Sequence, residues 1–553
     1  MKSKRILALL LAAAMTAGLM ACGNTAEETD NKSSEVKEES KTSEATGTSA
    51  SEEKEEIDLS YPIKDAQGLS IFNIGLPMPD DQTDWKNVPF WQGLQENTGV
   101  TLDVQFPAAG ADWNQTFNLL LTDEVLPDII FKYTDANECE QLIEDGVIYD
   151  LTEYLPTYAP DYWAFLNDPA YASVKKEITT KSGKIATFMS ARENLYGICY
   201  VGPVVRKDWL EECGLDEPVT VADWEEMLIA FKDKYDAKLG FTQSYFADSR
   251  AIASGFGGQG GIKVANYYVE DGTIKFAQEQ QEWYDMMVTL NKWYEKGLID
   301  PDVLSLDNDI IRSKVLNNEI GASFTAMSQI TNWTADAEAE NTGAVWTGVS
   351  YLRTAEGEPT SAIRAAASLR QGFGALITTS CPEEKLIEAL RFLNYGYTEE
   401  GFMYWNFGTE GVSYTIGENG HPEFTDIVMN NPNGQNTGVN NYTGTSGAGI
   451  AIQAADMVRA KNVKVAGDAV DKWIENTVAQ EYCVPSLNYD SDTTTEINDL
   501  NNALNTRIAE VAAKFMTGEE SLDNYDVFIE ELHEMGVDRV LEIMQAAYDA
   551  QYK

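Results

Sequence analysis

A chain of 553 residues with 43% hydrophobic and 10% aromatic residues can bury more than one sizeable core, and its length exceeds what a single core usually serves. It carries 89 acidic against 40 basic residues, a net charge of -49, which excludes nucleic acid as a partner because that requires clustered Lys and Arg to displace phosphate counterions. With two histidines, six cysteines, no CxxC pair and no GxSxG, zinc, dithiol and serine-triad chemistry have few candidates.

The chain opens on Lys2, Lys4 and Arg5, then an apolar run from Ile6 to about Ala17, then Leu19-Met20-Ala21-Cys22. A charged start, a short apolar run and small residues predict a secretory signal over 1–21, shorter than the roughly 20 apolar residues a bilayer span needs. Its last residues resemble the lipobox of bacterial lipoproteins, in which the Cys is acylated and becomes the new N-terminus, so Cys22 is the predicted lipidation site. Two acyl chains anchor stably where one binds reversibly. Residues 22–60 are rich in Glu, Ser, Thr and Lys and nearly free of large apolar side chains, which predicts a disordered stalk. The other five cysteines, at scattered spacing, read as free thiols.

From residue 61 the pattern becomes that of a folded body. "LSIFNIGLPM" (69–78) predicts a buried strand, "FWQGLQENTG" (90–99) a helix closed by Gly99, and "VTLDVQFP" (100–107) a half-buried strand by its alternation. "WNQTFNLLLTDEV" has helical spacing, and Pro127-Asp128 punctuate a strand at Ile129-Ile130-Phe131. This strand–helix alternation predicts a parallel α/β sheet, whose ligands bind beyond the carboxyl ends of its strands. "YGICYVGPVVRKDWLEECGL" (196–215) runs from strand to helix near Arg206; Thr220 with Asp223 makes a near capping box; Asp271-Gly272 turns a hairpin. "QEWYDMMVTLNKWYEKG" is an amphipathic helix ended by Gly297. In "PEEKLIEALRFLNYGYTEEGFMYWNFGTEGVSYT" (382–415) Leu386, Ala389, Leu390 and Leu393 share a helical face before a predicted Gly- and aromatic-rich loop.

The segments "LPDIIFKY" with "LIEDGVIYDLTEYL", then "YGICYVGPVVRKDWLEECGLDEPVTVADWEEM", "KWYEKGLIDPDV", and "FGALITTSCPEEKLIEALRFLNYGYTEEGFMYWNFGTEGVSYT" with "NGHPEFTD" resemble, in order and spacing, the extracellular solute-binding proteins (family 1) of carbohydrate ABC transporters. The likeness spans roughly residues 69–430 and extends in particular to the LplA/LipO-like bacterial lipoproteins of Gram-positive cells. It implies an α/β, two-lobe, type II periplasmic-binding-protein-like fold with hinge-linked lobes around a central cleft. By the same resemblance, lobe 1 takes 61–202 plus 324–398 and lobe 2 takes 203–323 plus 399–553, with crossings near Val201–Val205 and Ser323–Ile330. It implies a monomeric receptor, lipid-anchored on the outer face of the membrane, that captures a carbohydrate for ABC permease subunits, without catalysis, metal or cofactor.

A pyranose offers an apolar C–H face and a rim of hydroxyls, so its site needs aromatic platforms edged by polar side chains. Aromatics on predicted loops or strand ends are Trp85, Tyr133, Tyr200, Tyr245, Phe246, Trp333 and Trp405, each a platform or a core plug; Trp209, Trp224 and Trp293, within amphipathic helices, read as core. Tyr245 and Trp333 fall where the resemblance puts sugar-stacking aromatics, and Trp405, beside Asn406, is the leading platform. Arg192, Arg206 and Arg370 either clamp a carboxylate or sulfate or form structural ion pairs. Glu410 either accepts sugar hydroxyls or caps a turn.

Two motifs are decoys. "GFGGQG" (255–260) matches GxGxxG but lacks the strand before and helix after that dinucleotide binding requires. "DSDTTTEINDL" (490–500) has spaced carboxylates without the calcium loop's Gly, and Asp492 as a helix N-cap accounts for it. The competing function classes are a secreted glycoside hydrolase, which needs two carboxylates across a sugar, and a receptor for a non-sugar solute or a sensor-kinase partner.

Overall fold

The structure is a computed structural model that describes residues 57–75, 78, 82–108, 110–244, 252–256, 266–358, 360, 368–418, 420–445, 449–475 and 482–553. The signal, Cys22, nearly all of the stalk, Tyr245, Phe246 and Gly257–Gly260 lie outside the described residues. The strands are β1 (Leu69–Asn73), β2 (Leu102–Gln105), β3 (Ile129–Tyr133), β4 (Thr187–Arg192), β5 (Val201–Arg206), β6 (Lys238–Phe241), β7 (Tyr267–Glu270), β8 (Thr273–Phe276), β9 (Ile320–Ala326), β10 (Trp346–Gly348), β11 (Arg370–Ile377), β12 (Tyr414–Ile416), β13 (Pro422–Phe424) and β14 (Ile452–Gln453).

Local chemistry places the first elements as the sequence predicts. The helix Pro89–Thr98 has Pro at its first turn and ends on Gly99 at φ 75°, the left-handed conformation glycine adopts without strain. Along β2, Leu102 and Val104 are buried while Asp103 and Gln105 are exposed. β1 pairs in parallel with β2 and β3, joining them through the helix Pro89–Thr98 and the helix Trp113–Leu120. The sheet has six strands in the order β14-β4-β11-β3-β1-β2. It is mixed rather than all-parallel, because β11 arrives from far along the chain and runs antiparallel to both β3 and β4. The five other strands point their carboxyl ends the same way.

A second sheet, β10-β5-β9-β6, has β5 antiparallel to β9 and β10, and β6 parallel to β9. Its core takes Trp209, Trp224 and Trp293, all buried as expected. The capping box at Thr220 forms, and Asp271 and Gly272 both take positive φ in the β7–β8 hairpin. The remainder of the chain is helical: Lys464–Ile474, Ser491–Thr517, Tyr525–Glu534 and Val537–Tyr552. Asp490, rather than Asp492, caps the long helix, its carboxylate accepting from Thr493 N at 2.9 Å, because the helix starts at Ser491, before Asp492. The five cysteines after Cys22 form no disulfide.

Packing redraws the expected partition. Ile330 and Trp333 of the helix Met327–Ala339, together with Trp346, belong to the core of the second sheet, whereas Tyr404 and Trp405 belong to the core of the first. Val201–Val205 and Ser323–Ala326 are buried ladder strands of the second sheet. In chain order the strands change sheet instead between β4 and β5, between β10 and β11, and the chain returns to the second sheet's core after β14. Trp473 then seals the second sheet: its Nε1 donates to Pro203 O at 3.1 Å, and its ring lies 2.4 Å from where a Cβ on Gly202 would stand, so only glycine fits there.

Candidate functional site

Strand register gathers polar side chains at the carboxyl edge of the first sheet. Arg192 ends β4, Gln453 ends β14 directly opposite it, and Arg370 pairs with Ala191 at the start of β11. The facing edge of the second sheet presents Tyr200, just before β5, and the start of the helix Met327–Ala339, just after β9; Met327 N donates to Tyr200 O at 2.8 Å. Between the two edges lies a pocket of about 650 Å³. Its walls are rich in amides, including Gln329, Asn332, Asn433, Gln435, Asn436 and Asn462, and among the described residues no carboxylate lines it.

Arg192 donates from Nη1 to Gln453 Oε1. With the Gln371 amide oriented so that its oxygen faces the guanidinium, it accepts from Nε at 2.9 Å and Nη2 at 3.2 Å. Behind this wall, Asn406 is wholly buried and fully bonded. Its Nδ2 donates to Phe402 O and Ile452 O, and its Oδ1 accepts from Thr445 Oγ1 and Ala454 N, all at 2.8 Å. It thereby fixes β14 and the placement of Gln453. Lys461 reaches the pocket from the end of the helix Ala455–Ala460. Desolvation pushes its ammonium down to about 8, and the Arg192 guanidinium adds repulsion.

Of the predicted site residues, the pocket collects Arg192 and Tyr200. Tyr133 stands on the same sheet edge, 52% exposed and edge-on to Phe373 at 5.4 Å. Trp113, 48% exposed, meets the same Phe373 ring at 5.7 Å, making an open aromatic surface. Sequence reasoning missed Trp113 because it opens a helix and was read only for helical spacing.

The other candidates lie elsewhere. Trp405 is 1% exposed inside the helix Glu399–Phe407, edge-on to Phe90 at 5.0 Å, so the stretch predicted as a loop is helical up to Gly408. Gly401 disguised that helix. Trp333 is 1% exposed against Trp346, and Trp85 is buried in the first core. Arg206 is a structural ion: Nε and Nη2 donate to the Asp208 carboxylate at 2.8 and 2.6 Å, Nη1 to Asn318 Oδ1 at 2.6 Å, and the guanidinium covers the Trp209 ring at 4.0 Å. Arg370 is committed to Glu177 at 3.1 Å and to Thr134 O at 3.0 Å. Glu410 is exposed in a turn beside Tyr414, away from the pocket.

No group of three or more His, Cys, Asp or Glu suited to a metal occurs among the described residues, and none of their helices is long and apolar enough to cross a membrane. The chain is 24% identical over 409 residues to Lipoprotein LipO of Bacillus subtilis (strain 168), covering 70% of this chain and 72% of LipO. Its fold is similar to that of alginate-binding protein AlgQ2, solved without calcium ion (TM-score 0.65, 20% identity, 88% of this chain and 99% of AlgQ2). It is also similar to an HMO-binding, ABC-transporter-associated solute-binding protein from Bifidobacterium longum infantis (TM-score 0.68, 17% identity, 88% of this chain and 100% of that one). The model of the bacterial extracellular solute-binding proteins matches residues 92–412. The chain therefore belongs to the bacterial extracellular solute-binding proteins, which bind and present ligands rather than transform them.

Proposed function

We propose that the chain is a receptor that captures an oligosaccharide in the pocket between its two sheets and delivers it to the permease of an ABC importer. The observation that carries this reading is the lining: amides that both donate and accept suit a ring of sugar hydroxyls, and each hydroxyl left unmatched in such a site costs about 1 to 3 kcal/mol. The aromatic surface of Tyr133, Phe373 and Trp113 at the same sheet edge supplies apolar faces for further sugar units. The relatives named above for alginate and HMO binding support a saccharide over other solutes. Calorimetry across oligosaccharides of graded length is expected to find a binder. Small-angle scattering should then show a smaller radius with it, because only a closed state touches the ligand from both sheets. Tight binding with an unchanged scattering curve would argue against closure.

The anchor is part of the same proposal. Cys22 follows the signal at the expected cleavage site, and LipO is a lipoprotein. Cys22→Ala is expected to move the protein from the detergent phase to the aqueous phase or to leave it as precursor; unchanged detergent partitioning would remove the acyl anchor.

A further inference from the structure

Acidic residues outnumber basic ones by 89 to 40 along the chain, yet the pocket is lined by two cations and no carboxylate among the described residues. Among the described residues no ion pair or hydrogen bond engages the Lys461 ammonium, and its charged neighbour at the pocket is Arg192. The charged neighbours of Lys461 on its own helix are engaged elsewhere, Asp456 with His421 at 2.7 Å and Arg459 with Asp471 at 2.8 Å. Two helices begin at this pocket without a side-chain cap, Met327–Ala339 and Gln435–Tyr442, and both turn their positive ends towards it.

A neutral sugar gives no reason for this arrangement. Its hydroxyls are served by amides, which line the pocket already, whereas a desolvated ammonium beside a guanidinium is a cost that only an anion offsets. We infer that the ligand is an anionic saccharide whose carboxylate or sulfate sits between Lys461 and Arg192. The inference rests on the saccharide reading above and narrows its class.

The pH dependence follows. The Lys461 ammonium is pushed down to about 8 from its ordinary value of 10.5, so its charge lowers the stability of the folded chain below pH 8, and that cost fades as pH rises towards 10.5. An anion holds the proton on. Affinity for an acidic ligand therefore falls as pH rises above about 8.

The test compares the mature wild-type chain with Lys461→Gln and Lys461→Arg by calorimetry. The probes are oligogalacturonates, chondroitin sulfate disaccharides and neutral galacto- and fructo-oligosaccharides, the first two distinguishing carboxylate from sulfate. An acidic probe is expected to bind best and to weaken with salt. Lys461→Gln should weaken it by roughly 10- to 100-fold, with Lys461→Arg restoring much of the loss. Without ligand, Lys461→Gln should melt higher than wild type at pH 7, which a role in folding would not produce. If neutral probes bind as tightly as acidic ones, or Lys461→Gln leaves the acidic affinity unchanged, the anionic site is refuted while the saccharide receptor stands. Binding of no probe of either kind would overturn both.

Discussion

Trp405→Ala is expected to lower the unfolding free energy by about 3 to 5 kcal/mol while leaving the ligand affinity of the folded protein unchanged. The side chain is 1% exposed, its ring meets Phe90 edge-on at 5.0 Å, and Gly444 and Gly449 approach it so closely that a Cβ on either would stand 2.6 and 3.2 Å from its Cζ3. Close packing on both sides leaves little room for collapse into the vacated volume, so transfer and cavity costs add. Urea unfolding followed by Trp fluorescence and circular dichroism gives the stability, and calorimetry at low temperature gives the affinity. A variant of near-normal stability that has lost ligand binding would return Trp405 to the pocket.

Asn406→Ala is expected to cost about 3 kcal/mol or more and, unlike Trp405→Ala, to weaken ligand binding as well. Removing the amide leaves Ile452 O, Ala454 N and Thr445 Oγ1 without the partner each has at 2.8 Å, in surroundings closed to water. Each unsatisfied group carries its own desolvation penalty, and the three are neighbours, so their costs do not simply add. The functional consequence runs through β14. Once Ile452 and Ala454 are freed, Gln453 no longer holds Arg192 in one orientation, and the pocket wall that meets the ligand becomes an ensemble. Calorimetry should show an affinity loss of roughly 10-fold with a less favourable entropy; a destabilised variant with unaltered affinity would show that β14 is held by its ladder alone.

The contrast between these two adjacent residues shows where the sequence was readable. Gly99, the Thr220–Asp223 capping box and the Asp271-Gly272 turn are satisfied within a few residues of chain, and the sequence alone placed them. The helix containing Trp405 was misread because Gly401 weakens its propensity. That glycine is required by a contact the sequence does not show: a Cβ there would stand 1.6 Å from Tyr395 O. The assignment of 327–352 to the second core and of Tyr404, Trp405 and Ile450 to the first, and the insertion of β11, depend on packing and pairing between residues far apart in the chain. The binding wall had one visible sign, the amide-dense stretch "NNPNGQNTGVNN" (430–441), which has neither periodicity nor aromatics and was passed over. Lys461 had none, since what distinguishes it is the lack of a partner among the described residues.

The position of β11 has a consequence for how the chain comes into being. β11 lies between β3 and β4, so the first sheet stays in two halves until residue 377 has been synthesised, by which point every strand of the second sheet has already passed. The second sheet in turn waits for Trp473 and for the helices after residue 490 to cover it. The second core cannot close before those helices are made, and long-range pairing of this kind is slow to form. For a chain that works outside the cell this delay is useful. Such a chain gains from staying unfolded on its way out, and here the order of strands postpones completion of the first sheet until β14 and of the second core until the helices after residue 490 have been made.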